Sequence, residues 1–101
     1  MERRKLIRDK IPQIIQETGK IPETHVANDF EYEQALREKL VEEANEFRES
    51  GNIEELADLL EVIYAICKNQ GKGIEEVETL RKAKAAERGT FTQRIMLDDV
   101  Q

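Results

Sequence analysis

A three-residue break, Ser50-Gly51-Asn52, interrupts two segments whose apolar residues recur at helical spacing. Two amphipathic helices joined by so short a link can do little besides fold back on each other as an antiparallel hairpin. The first helix is expected from about Asp29 to Glu49, with Asn28 as its cap and Glu31 at the matching third position. Asn52 is read as the cap of the second, with Glu55 three residues on, and this helix runs to about Asn69. The Gly71-Lys72-Gly73 turn follows, then a third helix from Ile74 to Arg88 with Gly89 just past its end. Upstream, Pro12 suits the first turn of a short helix, IPQIIQET, which Gly19 stops. Residues 20–28 read as a loop. The segment TFTQRIML is expected to be extended and docked, as a short strand.

The expected fold is therefore all-α: a helical hairpin core with additional short helices and an extended tail. The 101 residues are read as one domain, 1–101. Leu56, Leu59, Leu60, Val62, Ile63 and Ile66 occupy more than one flank of the second helix, and one partner helix cannot cover them all. A four-helix-bundle assembly of two hairpins, a homodimer or homotetramer, is expected.

Charge narrows the partners. The net charge is −6, with 38% of residues charged, which disfavours non-specific nucleic-acid binding. The sign is unevenly distributed: MERRKLIRDK is basic, residues 38–61 are strongly acidic, and residues 81–94 are basic again. No apolar stretch is long enough to span a bilayer, and no secretory signal is visible, so a cytoplasmic address is expected. The single cysteine, Cys67, lies in the apolar run VIYAIC and reads as a buried small hydrophobe.

The hairpin carries two acidic motifs, Glu42-Glu43-x-x-Glu46 and Glu55-x-x-Asp58. Helical residues three apart share a face, with Cβ atoms roughly 5–6 Å apart. Glu46 and Glu55 lie at nearly equal distances from Gly51, and Glu43 and Asp58 are matched one layer deeper. Glu43 shares a stripe with Leu36, Leu40 and Phe47. Glu55 shares one with Leu59, Val62 and Ile66, and Asp58 flanks Val62. Acids against apolar faces need a counter-charge, and a divalent cation supplies one. Oxygen-only donors suit Mg²⁺ or Mn²⁺ rather than zinc. The plain alternative is a solvated acidic face, in which ExxE recurs by chance and Glu55 serves only as a capping residue.

At these residues the chain resembles a family. EEANE followed by ELADLLEVIYAI is similar to the MazG-type all-α nucleoside triphosphate pyrophosphohydrolases. KLIRDKIPQII and RGTFTQRIML resemble a MazG-like branch that is also similar to phosphoribosyl-ATP pyrophosphohydrolase. The resemblance implies Mg²⁺-dependent cleavage of a nucleoside triphosphate to monophosphate and pyrophosphate, by a hairpin paired with a second subunit. It implies Glu43, Glu46, Glu55 and Asp58 as metal ligands, and Glu42 as a water-orienting catalytic carboxylate. Phosphoribosyl-ATP pyrophosphohydrolases commonly carry a Tyr-His pair after the second motif, where this chain has Glu61-Val62. That difference favours nucleotide cleansing over the histidine-biosynthesis substrate. A non-enzymatic helical dimerisation module remains the reading from a different class.

A triphosphate needs more positive charge than a metal site alone provides. Arg8, Lys10, Lys84, Arg88 and Arg94 are the candidate phosphate-binding residues. The plain alternatives are a solvated cationic start for Arg8 and Lys10, and a favourable helix C-terminus for Lys84 and Arg88. His25 reads as a surface histidine. Phe30, Tyr64 and Phe91 are read as core packing residues.

Overall fold

The computed structural model describes residues 4–101; the first three residues of the basic lead-in lie outside the described residues. Four helices follow in chain order: α1 (Ile11–Glu17), α2 (Asp29–Ser50), α3 (Ile53–Asn69) and α4 (Ile74–Arg88). No strand occurs among the described residues. The fold is all-α, and no helix among the described residues is long and apolar enough to cross a membrane.

The helix boundaries have local causes. Pro12 lies in the first turn of α1, where its missing N–H has no intrahelical partner. Asn28 caps α2, its Oδ1 accepting the Glu31 N–H at 2.9 Å. At the other end Gly51 takes a φ of 69°, and its N–H donates to the Phe47 carbonyl at 2.7 Å. This left-handed residue turns the chain into α3.

The cap of α3 differs from expectation. Asn52 occupies the cap position, but its side chain makes no capping hydrogen bond. Its own N–H donates to the Ser50 hydroxyl at 3.1 Å, and the Glu55 carboxyl engages Glu46 across the hairpin instead of folding back. Glu55 is thus directed between the helices.

α2 and α3 pack against each other, and α4 makes only slight contact with α3. The buried positions among the described residues are Leu36, Val62, Cys67 and the carboxylate-bearing Glu43. Cys67 is free and buried, as its apolar surroundings imply. Among the described residues the short α1 packs on no other helix; its lead-in is tied to the hairpin by ion pairs described below.

Around this small core the chain is open. Its radius of gyration is 17.8 Å, whereas a compact domain of this length has about 13 Å. Its accessible surface is 9297 Å², against about 5,900 Å² for a folded monomer of this size. A 22-residue helix such as α2 is about 33 Å long, so the 58 Å long axis is set by segments that project past the hairpin.

The expected docked strand at the tail is not found. Residues 90–101 are irregular and exposed, with one turn closed by the Arg94 N–H on the Phe91 carbonyl at 3.2 Å. Every regular element among the described residues is a helix, so no sheet edge exists for a strand to join. The aromatics also differ from expectation: Phe30 and Phe91 are exposed and Tyr64 is 47% exposed, because the chain by itself supplies no layer to cover them. His25 lies at the surface as expected, its Nε2 at 2.8 Å from a Glu31 carboxylate oxygen.

A candidate metal centre on the α2–α3 hairpin

The four candidate ligands lie close to the Gly51 end of the hairpin. α2 contributes Glu43 and Glu46, and α3 contributes Glu55 and Asp58. α2 and α3 pack against each other, burying Leu36 on the first and Val62 on the second. That packing sets Glu43 against the interface, where it is only 6% exposed. No hydrogen bond to its side chain is found among the described residues. Lys39, one turn earlier on α2, is its only favourable charged neighbour among them.

The electrostatics follow from this placement. Desolvation raises the Glu43 pKa above the ordinary carboxylate value, and Glu46, Asp58 and Glu42 add to the rise, while Lys39 opposes it. Glu55 is also raised, first by desolvation and then by repulsion from Glu46, a hydrogen bond with Glu46, and repulsion from Asp58 and Glu43. The four acids expected from the sequence are therefore mutual neighbours across one helix interface.

They do not form a closed ligand cage. No group of three or more acid, His or Cys side chains among the described residues is gathered tightly enough to hold a metal ion. Asp58 is drawn to Arg8, whose Nη2 donates to its Oδ1 at 2.7 Å. The ion pair is half-exposed on both sides. The donor set nevertheless fits a hard cation: it contains only carboxylate oxygens, and the buried side chain among them lacks a hydrogen-bond donor among the described residues.

Glu42 sits beside the cluster and is bracketed by two lysines, Lys5 at 3.4 Å and Lys39 at 3.5 Å. Sequence reasoning missed both. A signal for Lys39 exists, since it lies three residues before Glu42 and four before Glu43. Lys5 gives none beyond the general basic character of the lead-in.

Of the five candidate phosphate-binding residues, only Arg8 reaches the cluster. No hydrogen bond or ion pair among the described residues joins Lys10, Lys84, Arg88 or Arg94 to it. The reason is geometric. α4 begins at the end of α3 remote from Gly51, and would have to lie along α3 to bring Lys84 and Arg88 to Asp58. It touches α3 only slightly. On the α3–α4 side, Tyr32, Tyr64, Lys68 and Lys72 line an open cleft of about 750 Å³.

Comparison with family models, curated proteins and solved structures finds no match for this chain.

Proposed function

We propose that this chain is a Mg²⁺-dependent nucleoside triphosphate pyrophosphohydrolase that works as at least a homodimer. The observation that carries the reading is Glu43. A carboxyl group 6% exposed, set beside three other acids and without a hydrogen-bond donor among the described residues, destabilises the fold unless a cation or a proton neutralises it. Such a cost at one interface is what a functional site imposes on an otherwise consistent fold. The resemblance of the acidic motifs, RDKIP and RGTF to the MazG-type enzymes supplies the reaction.

Glu43, Glu46, Glu55 and Asp58 would hold Mg²⁺, with Mn²⁺ an alternative of the same hard type. The metal, when bound, neutralises triphosphate charge and lowers the pKa of a coordinated water. Glu42, paired with Lys5 and Lys39, would orient an attacking water through its carboxylate. Arg8 exchanges its contact with Asp58 for a phosphate oxygen, delivering positive charge to the substrate as it releases a ligand. Leu36 and Val62 fix the helix spacing, so the carboxylates stay opposed. The products are a nucleoside monophosphate and pyrophosphate.

The excess surface supports the dimer. It amounts to about 3,400 Å² per chain by the same size relation, well above the ~800 Å² that each partner buries in a standard interface. The same exposed surface would also serve a non-enzymatic dimerising module, which has no use for a carboxylate buried at Glu43.

The test is a panel of canonical and damaged nucleoside triphosphates with Mg²⁺, followed by phosphorus NMR. One-step appearance of monophosphate and pyrophosphate is expected for at least one substrate. A diphosphate with free phosphate would disprove the assigned chemistry, and an untouched panel would leave the interaction module as the better reading.

A further inference from the structure

Both tyrosines of the chain, Tyr32 and Tyr64, line the open cleft of about 750 Å³ on the α3–α4 side. Tyr32, near the start of α2, is half-buried, and Tyr64, on α3, is 47% exposed. α4 makes only slight contact with α3, so the cleft stays open to solvent.

The charged groups of its wall balance. Lys68 and Lys72 are matched by Glu61 and Glu75, and all four are exposed. Lys72 is also paired with Glu76 at 3.5 Å. A wall without net charge offers a polyphosphate chain no net attraction. What separates this cleft from ordinary surface is its pair of aromatic rings, and such rings hold flat, π-rich groups by stacking.

Helix geometry ties the cleft to the acid cluster. Tyr32 lies eleven residues before Glu43, three helical turns, so both project from one face of α2. Ala65, in the cleft wall, lies seven residues after Asp58, two turns along one face of α3. The cleft is therefore displaced from these acids along the hairpin axis and not around it, by about 10 Å on α3 and about 16 Å on α2. A ligand lying along the hairpin can touch both.

We propose that the cleft receives the heterocyclic base of a nucleotide, stacked on Tyr32 and Tyr64, with the phosphate end of the same molecule directed toward Asp58 and Glu43. Stacking tolerates any base, so more than one nucleotide should bind. That the ligand is the base end of a hydrolysed triphosphate rests on the proposed function; recognition of a base by the two rings does not.

The experiment follows the ring signals of tyrosine-labelled full-length protein by NMR, where the two tyrosines report on the cleft alone. Adenosine, guanosine, cytidine and uridine monophosphates are titrated in turn with Mg²⁺, and ribose 5-phosphate serves as the probe without a base. At least one monophosphate should shift both rings saturably, and ribose 5-phosphate should shift neither. Tyr64→Ala, read at the remaining Tyr32 signal, should bind about tenfold more weakly, the scale of one lost stack. Tyr64→Phe keeps the ring and should bind nearly as the parent does. Circular dichroism checks that each variant keeps its helices. Rings unmoved by all four nucleotides, equal shifts with ribose 5-phosphate, or unchanged binding in Tyr64→Ala would overturn the proposal. So would shifts that follow protein concentration and not nucleotide, because a second copy would then fill the cleft. Triphosphate cleavage with unmoved rings would sink the base site and leave the hydrolase reading intact. Ring shifts in a protein that cleaves no triphosphate would discredit the hydrolase reading and leave the base site standing.

Discussion

The α2–α3 hairpin and the α4–tail half both carry many apolar residues but meet opposite fates. In the hairpin Leu36, Val62 and Cys67 are buried, and a carboxylate is buried with them. In α4 and the tail nothing is buried, and Leu80, Phe91, Ile95, Met96, Leu97 and Val100 stand in solvent. The hairpin has a partner within the chain, because the short link at Gly51-Asn52 places its helices side by side. α4 makes only slight contact with α3, and its apolar residues are left exposed. Local sequence thus specifies helices in both halves, but packing within the chain specifies only one.

The largest expected effect tests that contrast in stability. Leu36→Ala should cost about 2–5 kcal/mol, since it removes a side chain 2% exposed from the only helix interface of any size among the described residues. Leu80→Ala should cost roughly 0.5 kcal/mol or less in dilute protein where chains are separate, and more as concentration rises and a second copy covers it. Denaturant melts at two concentrations read both. Equal, concentration-independent costs would erase the distinction between the halves.

Next comes activity. Glu43→Gln removes one charge and keeps the shape. The rate of triphosphate cleavage should fall about 100-fold or more, equivalent to about 2.7 kcal/mol of transition-state stabilisation. Glu61→Gln, an exposed acid on α3, should be near neutral in the same assay.

The third test concerns pH. The Glu43 and Glu55 pKa values are raised in the folded chain, so the folded state binds protons more readily than the unfolded one. Their contribution to stability is complete below the ordinary carboxylate pKa and is lost as pH rises through the raised values. Metal-free protein should therefore gain melting temperature on acidification from neutral pH toward about 5, the direction that linkage fixes. Glu43→Gln should flatten this slope and melt higher than the parent at neutral pH. An unchanged slope would show that the acids are solvated.

The smallest effect is at Arg8. Its pair with Asp58 is half-exposed, so Arg8→Ala should change stability by roughly 0–1 kcal/mol. The same ion pair limits what Asp58→Asn can report, because it loses a partner as well as a repulsion. Relief of repulsion is cleaner to read at Glu43, which has no such bond.

Much of the hairpin is legible in the sequence. Asn28, Gly51 and the apolar periods carry local information, and the acid motifs mirrored about Gly51 place four carboxylates across one interface. Less local features are not legible. Asn52 has the sequence context of a side-chain cap for α3, but Ser50 takes its N–H and Glu55 turns toward Glu46. The tail's β-branched and aromatic residues read as a strand, yet propensity cannot create a sheet edge to join. Lys84, Arg88 and Arg94 read as a phosphate-binding group because periodicity gives a helix its faces but not its direction in space. Arg8, fifty residues from Asp58, stands out in the sequence for its charge alone, and only the fold shows which acid it meets.

If Glu43 is buried in order to hold a cation, the protein must bind one without substrate. Titrating Mn²⁺ into the protein and following the free ion by electron paramagnetic resonance measures this without substrate. Saturable binding is expected to the parent and to Glu61→Gln, with at least tenfold weaker binding to Glu43→Gln. Equal affinity in all three, or no saturable binding in the parent, would contradict it.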